Sequence, residues 1–359
     1  MKRPSRRAFV LIALFVLAAA TWTCSACSAG YILRAGYEEA KILAARRPIR
    51  EVIAAPGTSA EAKRRLELVL TARDFAEHAL ELDAGDSYTT YTRLQTDTLA
   101  LVLSGSRRDA FEPVTWWFPI VGHVPYKGYF DPDDARAAQR DLERDGYDTF
   151  LRPTAAFSTL GWFNDPLLST VLRYPDVPLV STVIHEITHN SLYIAGQTAF
   201  NESFANFVGD RGAIALFCGM DGLTSERCVR AQGEWEDNLA FAAFLNSLVA
   251  ELDSLYARED LDAAGKVRLR EPIFEAARVR FHDVVLPAMR TDRFQGFERL
   301  PMNNATLLAR RLYYDRLDRF EAAYQRSGGD LIGTIRTIME AAQARRDAPW
   351  DALESTFGG

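Results

Sequence analysis

Apolar residues recur at helical intervals over much of the chain. The segment PGTSAEAKRRLELVLTARDFAEHALEL places Leu66, Val69 and Phe75 on one side of a helix. Thr58 followed by Glu61 has the spacing of a capping box, and predicts that this helix begins at Thr58. Comparable helical patterns cover residues 31–46, about 225–257, 264–286, 303–326 and 329–346.

The pattern changes between residues 97 and 166. The segments DTLALVLSGS and TWWFPIVGHV are rich in β-branched and aromatic residues, which are typical of strands. DPDDARAAQRDLERDGYDTFL predicts a helix capped by Asp131, with Pro132 at its first position, and then a short strand from about Tyr147 to Leu151. AFSTLGWFNDP predicts another short strand, which ends at Asp165.

A small set of strands followed by many helices predicts an α+β protein with a small mixed sheet and a predominantly helical C-terminal region. We divide the chain into four regions on this basis. They are a leader at 1–26, a helical segment at 27–95, a region at 96–220 with the sheet, and a helical region at 221–359.

The N-terminus has the pattern of an export signal. Lys2 and Arg3 precede an apolar run that ends at Trp22, shorter than the ~20 residues that span a membrane. Small residues then lead to Cys27, as in bacterial lipoprotein signals, although Cys24 stands where such signals usually carry leucine. We expect Cys27 to carry the lipid and the protein to be a membrane-anchored lipoprotein of the cell envelope that faces the periplasm. Plain secretion and an uncleaved anchor are the alternatives.

Two further cysteines are compatible with this compartment. Cys218 and Cys228 lie in FCGMDGLTSERC, whose glycines allow the chain to turn. In an oxidising compartment they are expected to form a disulfide, with two buried thiols as the alternative. Their spacing does not match a zinc ribbon.

The stretch VIHEITHNSLY contains the clearest chemical signal. It falls in a segment that follows Pro178 and has apolar residues at helical spacing, so we expect a helix. Residues four apart share a helix face, and His185 and His189 can therefore reach one ion, as zinc ligands do. Glu186 is turned about 100° away on the helix, where it can act as a general base beside bound water.

A third metal ligand is expected from AFNESFANF. Asn201 can cap a new helix, which would place Glu202 in its first turn as the third ligand. Asn206 lies one turn further on the same face and could hold the free ring nitrogen of a ligating histidine. His123 and His282 are rival ligands, and Glu202 could instead only cap its helix.

The charge pattern does not indicate a nucleic-acid partner. The formal net charge is −6 at pH 7, although Lys and Arg outnumber Asp and Glu over residues 266–319, twelve against seven. That excess lacks interleaved aromatic residues and a binding motif, so it is interpreted as a solvated helical face.

These motifs belong to a longer set of segments that resembles a family of bacterial predicted aminopeptidases, zincin-type metallopeptidases exported as lipoproteins. The segments are CSAGY (27–31), RRPI (46–49), RLELVL (65–70), WWFPIVGHVPYKGYF (116–130), STLGWFNDPLLST (158–170), HEITHNSLY (185–193), FNESFANFVG (200–209) and NNA (303–305), with Tyr313 beyond. The resemblance implies a zincin-like fold, Zn²⁺ at His185, His189 and Glu202, Glu186 as catalytic base, and a peptide substrate.

The resemblance also implies further contacts with the substrate. Zincins place a strand beside the metal helix, to which extended peptides add, and STLGWF with Gly161 is the candidate for it. Tyr313 and Tyr126 are candidates for a hydroxyl that stabilises the oxyanion, although a tyrosine more often serves in packing. The expected activity is that of a zinc aminopeptidase at the cell envelope. An endopeptidase of the same mechanism and a non-catalytic zinc-binding lipoprotein scaffold are the alternatives.

Overall fold

The computed structural model describes residues 29–118, 122–154 and 165–358. The predicted leader, Cys27 and most of the predicted strand with Gly161 lie outside these residues. The helices are α1 (Ala29–Ala44), α2 (Ile49–Ala54), α3 (Ala60–His78), α4 (Pro132–Arg144), α5 (Asp176–Ser191), α6 (Thr198–Asp221), α7 (Glu226–Tyr256), α8 (Ala263–Arg280), α9 (Asn304–Tyr314), α10 (Leu317–Arg326), α11 (Leu331–Ala344) and α12 (Pro349–Phe357).

The chain is α+β, as predicted, but the described strands form three small sheets rather than one. The strands are β1 (Arg47–Pro48), β2 (Thr90–Thr92), β3 (Ala100–Ser106), β4 (Trp116–Phe118), β5 (Gly122–Val124), β6 (Lys127–Tyr129), β7 (Asp148–Thr154) and β8 (Leu167–Leu168). One sheet has the order β1-β2-β8, with a parallel β2–β8 pair, another has β6-β3-β7, and β4 pairs with β5. In the second sheet β3 and β7 are antiparallel, from Ala100 opposite Thr154 to Ser106 opposite Asp148.

One hydrophobic cluster runs through most of the described chain, from Ile49 to Leu353. It therefore includes residues of all three regions that we predicted after the leader. Helix α7 is the one described helix that is long and apolar enough to cross a membrane by length and composition. Its apolar residues Phe241, Leu245 and Leu248 are fully buried in the cluster, so α7 serves here as a core helix.

The predicted capping box at Thr58 is wrong. Helix α3 is capped by Ser59, whose Oγ accepts a hydrogen bond from the Ala62 amide at 3.2 Å. The Thr58 hydroxyl instead donates to the Val52 carbonyl at 2.6 Å. Glu61 binds the guanidinium groups of two following arginines and is not available to close a box.

Two predicted helical segments are interrupted. The pattern over 303–326 is broken into α9 and α10, because Arg316 adopts a left-handed conformation with φ of 47°. The pattern over 264–286 is regular only to Arg280, and a π-helical turn (Phe281–Val285) and a 3₁₀ turn (Leu286–Ala288) follow. In contrast, the cap at Asp131 and the first-turn proline Pro132 of α4 are confirmed.

Candidate metal centre

The candidate centre lies where α5 packs against α6. Helix α5 begins at Asp176, before Pro178, since a proline is tolerated in a first turn where its missing amide has no helical partner. The two helices approach closely because α6 has Gly209 at the contact. A Cβ on this glycine would meet the Ser181 carbonyl oxygen at 2.6 Å and the His185 Cβ at 3.2 Å. The glycine therefore allows α6 to lie directly against the histidine-bearing turn.

His185, His189 and Glu202 bring their donor atoms together between these helices. The two histidine Nε2 atoms are 3.2 Å apart. Glu202 Oε2 lies 3.4 Å from His185 Nε2, and its Oε1 lies 3.8 Å from His189 Nε2. All three side chains are largely removed from solvent. Such convergence of two imidazoles and a carboxylate is the donor set of a catalytic zinc site.

The spacing of the donors fits a metal ion. One donor atom from each residue lies within 4.8 Å of the others. Ligands held about 2.0–2.1 Å from a tetrahedral ion are separated by roughly 3.3 Å, close to the shorter two of the three distances. His189 Nδ1 is buried and has no hydrogen-bond partner in the described parts of the chain, so nothing there draws this ring away from the cluster.

The rival ligands lie elsewhere. His282 is exposed, and its Nδ1 is 2.6 Å from Glu298. His123 is on β5, where its Nδ1 is 3.4 Å from the Thr115 hydroxyl. The described residues hold no other group of His, Cys, Asp and Glu with the spacing of a metal site.

Asn201 does not cap α6, contrary to the prediction. The helix begins at Thr198, three residues earlier, with Gln197 before it, so Glu202 lies in the second turn rather than the first. The Asn201 side chain bonds the Ile194 backbone instead. It accepts from the amide at 3.0 Å and donates to the carbonyl at 2.8 Å. Asn201 thus fixes the loop between α5 and α6 and, with it, the position of Glu202 relative to the histidines.

Asn206 holds both His185 and α9. Its Oδ1 lies 3.1 Å from His185 Nδ1, and its Nδ2 donates to the Tyr313 carbonyl at 2.6 Å. Because the amide nitrogen already donates to Tyr313, the amide oxygen accepts from His185. The proton of a neutral His185 then sits on Nδ1, and the Nε2 lone pair faces the cluster. This arrangement orients a metal-ligating histidine.

The electrostatics keep the donors in different protonation states. Burial lowers the pKa of His189 to about 4, so its ring is neutral near pH 7. Burial also disfavours protonation of His185, but the hydrogen bond with Glu202 and nearby carboxylates outweigh it and raise the His185 pKa. For Glu202, burial is outweighed by the charges of His189, His185 and Arg152, which lower its pKa. Glu202 is therefore ionised and ready to bind a cation.

Glu186 is beside the cluster and is not one of its three donors. Burial raises its pKa to about 7, with the charge of His185 opposing and the charges of Glu202 and Asp165 adding to the shift. A carboxylate whose pKa is near neutral can both accept and release a proton at physiological pH. Its pKa and its place in the sequence beside His185 are those expected of a general base.

Both candidate tyrosines lie near the centre. The Tyr313 ring stacks on the His185 ring with centroids 6.3 Å apart, and burial raises the Tyr313 pKa to about 12. Burial also raises the pKa of Tyr126, and the negative charge of Glu202 raises it further. Both phenols therefore remain protonated and able to donate a hydrogen bond. Gly161 falls outside the described residues.

Sequence reasoning missed two arginines at the centre. Arg152 on β7 donates from Nη2 to the Tyr313 hydroxyl at 3.4 Å. Arg310 is on α9, one turn before Tyr313, and its Nε is buried. No local pattern marks Arg152, because its contact with Tyr313 joins positions 161 residues apart. Arg310 is brought near Arg152 only by the same packing of α9 against β7.

The disulfide forms at the far end of α6. Cys218 and Cys228 are joined across the turn that leads into α7. The bond links α6, which carries Glu202, to the long core helix that follows it.

Comparisons with known proteins give one match. A family model described as "Putative aminopeptidase" matches residues 30–349. No curated protein and no solved structure matches the chain.

Proposed function

The chain belongs to this aminopeptidase family, and we propose that it is a zincin-type, zinc-dependent peptidase that removes N-terminal residues from peptides at the cell envelope. One observation carries the proposal. His185, His189 and Glu202 converge their donor atoms, while a fourth ionisable side chain, Glu186, lies next to them and remains free of the donor set. Two histidines and a glutamate with an adjacent carboxylate form the arrangement of hydrolytic zinc sites.

Each residue has a distinct role in the proposed reaction. When bound, zinc would supply a Lewis acid that lowers the pKa of water and polarises the scissile carbonyl. Glu186 accepts a proton from the attacking water and passes it to the nitrogen of the leaving amine. The phenol of Tyr313 or Tyr126 donates a hydrogen bond to the carbonyl oxygen as it becomes negative. Asn206 keeps the ring of His185 in the ligating orientation.

Two alternative functions, an endopeptidase and a zinc-binding scaffold, make different predictions. An endopeptidase would use the same donors and the same base but would not need a free N-terminus on its substrate. A zinc-binding scaffold would need the three donors alone. The partly buried Glu186, with its pKa near 7, favours an enzyme, because a structural metal site has no use for a general base.

The decisive comparison is metal content and rate measured on two variants. Glu186→Gln removes the base but no donor, so we expect near-stoichiometric zinc with turnover reduced by ~10²–10⁴-fold. Glu202→Ala removes a donor, and we expect zinc to be lost first and activity with it. Removal of the metal by a chelator should abolish the peptidase activity of the wild type, and added zinc should restore that activity. Peptides with free and with acetylated N-termini, assayed side by side, separate an aminopeptidase from an endopeptidase.

His282→Ala is the matched control, since His282 is an exposed histidine that pairs with Glu298 and is not part of the donor set. It should keep both zinc and activity. If Glu202→Ala binds zinc as tightly as the wild type, the third ligand is wrong. If Glu186→Gln remains fully active, the proposed chemistry fails, whatever the metal content.

We also propose that Cys27 carries a lipid that anchors the protein to the membrane and faces it to the periplasm. The support is the sequence before it, a short apolar run that ends at Trp22 and is followed by the small residues Ser25 and Ala26. Cys27→Ser should release the protein from membranes or block its processing. A Cys27→Ser protein that stays membrane-bound with the processed mass, while Cys24→Ser does not, would move the lipid to Cys24.

A further inference from the structure

Two arginines at the edge of the metal centre have no carboxylate partner. Neither Arg152 nor Arg310 forms a salt bridge within the described ranges, and the segments outside those ranges contain no Asp or Glu. The nearby Arg311, in contrast, is paired with Asp315 at 3.1 Å. The charge of Arg152 acts on Glu202, but no carboxylate of the described residues forms a salt bridge with either guanidinium group.

The fold places both arginines on one surface. Phe150 and Arg152 are two positions apart on β7, so they share a face of that strand. Arg310 and Tyr313 are one turn apart on α9. The Arg310 guanidinium lies 5.8 Å from the Phe150 ring centre, and the Arg152 guanidinium lies 5.7 Å from the Tyr313 ring centre. These two contacts join the strand face to the helix face.

The surface adjoins the metal donors. Tyr313, which contacts Arg152, stacks on the ring of His185. Burial lowers the pKa of Arg310, and the charge of Arg152 adds to the shift. Arg310 Nε is a buried donor without an acceptor in the described structure. Two arginines without a salt bridge, one of them with a buried donor that lacks an acceptor, form a site beside the metal donors that can bind a further anion.

We propose that Arg152 and Arg310 bind a carboxylate of the peptide substrate and select peptides that present one. The inference rests on the proposed peptidase function. A guanidinium presents a planar fork that matches the two oxygens of a carboxylate. The carboxylate has two sources, the free C-terminus of a short peptide or the side chain of an acidic residue. Binding of this carboxylate would fix either the C-terminus or an acidic side chain of the peptide relative to the carbonyl that is cleaved.

The test compares otherwise identical short peptides on the full-length, zinc-loaded protein. One pair differs only in a free or amidated C-terminus, and a second, amidated pair differs only in Glu or Gln. We expect kcat/KM to favour the carboxylate member of one pair by roughly 10- to 100-fold, as charge-assisted hydrogen bonds give. The pair that shows the preference identifies the source of the carboxylate.

The variants assign the preference to residues. Arg152→Met and Arg310→Met should each reduce the ratio of the two kcat/KM values towards one, and the lysine variants should keep part of it. If Arg152 only supported Tyr313, its loss would slow both members of a pair equally and leave the ratio unchanged. Arg311→Met is the matched control on the same helix and should keep the wild-type ratio. Far-UV circular dichroism checks that each variant is folded.

Binding separates this inference from the proposed function. Calorimetry on chelator-treated protein measures the affinity of the same peptide pairs without turnover. The protein could bind carboxylate peptides selectively, and the arginine variants could lose that selectivity, while no peptide is cleaved. That result would support the carboxylate subsite and reject the peptidase function. If the protein cleaves peptides without any carboxylate preference, the subsite is rejected and the peptidase function is retained. The same conclusion follows if both methionine variants keep the preference.

Discussion

Replacing Gly209 by alanine tests whether close packing of α5 and α6 is what assembles the metal donors. The added Cβ would lie 2.6 Å from the Ser181 carbonyl oxygen, whereas ordinary contacts begin at 3.4 Å. The difference of 0.8 Å must be met by moving backbone, because the clashing atom belongs to the helix itself. His185 is one turn after Ser181, so a shift of α5 moves it away from Glu202 on α6.

The magnitude follows from a matched substitution on the same helix. A Cβ at Gly219 would meet nothing within 4 Å, so Gly219→Ala should stabilise the fold by up to ~1 kcal/mol through helix propensity. Gly209→Ala gains the same propensity but adds overpacking, which costs typically 1–3 kcal/mol. We therefore expect Gly209→Ala to be less stable than Gly219→Ala by about 1–3 kcal/mol.

Two measurements check this prediction. Urea denaturation gives the free energy of unfolding of each variant, and competition with a calibrated chelator gives zinc affinity. Gly209→Ala should bind zinc at least about tenfold more weakly, the lower end of the cost of disturbing a metal ligand's orientation. Gly219→Ala should bind as the wild type does. If both variants have equal stability and wild-type zinc affinity, the close contact of α5 with α6 does not position the donors.

Three further predictions concern stability. Replacing Cys218 and Cys228 by serine should cost about 2–3 kcal/mol by loop entropy in urea denaturation, and full alkylation of both thiols in unreduced, denatured protein would disprove the bond. Asp148→Asn should cost about 3–5 kcal/mol, because it removes the buried carboxylate 2.7 Å from the guanidinium of Arg270 and leaves only the exposed Glu271 as its counter-ion; a loss below ~1 kcal/mol would contradict this. Hydrogen bonds from an arginine of α3 lower the pKa of Asp176, so its stabilisation is present above about pH 4 and is lost at lower pH. Asp176→Asn should flatten that acid-side fall in stability, and an unchanged slope would refute the assignment.

The three metal donors could be predicted from sequence because their relative positions depend mainly on residues that are close along the chain. A helix alone places His185 and His189 on one face, whatever surrounds it. Glu202 required only that a second helix follow within a short distance. Even so, the reason given for its position was wrong, since Asn201 stabilises the preceding loop and does not begin the helix.

The arginines could not be predicted, because nothing in their neighbourhood along the chain requires them to meet. Arg152 lies on a short strand, and Arg310 lies on a helix that the sequence pattern did not separate from the next one. The break at Arg316 comes from a left-handed backbone conformation that favours glycine and that the sequence does not announce. Strand register and helix ends are tertiary properties, and the carboxylate subsite depends on both.

Helix α9 ties the C-terminal region to the metal centre. Its first residue is held by Asp148, which accepts from the Asn304 amide at 3.0 Å, and Asn206 binds the Tyr313 carbonyl near its other end. The helix therefore spans from the β3–β7 sheet to His185, and carries Arg310 on the way. The boundary that we predicted after residue 220 divides the donors from these groups. Residues 96–220 contain every metal donor and Arg152, whereas Arg310 and Tyr313 lie beyond the boundary. The metal donors therefore come from one predicted region, and the proposed carboxylate subsite requires both.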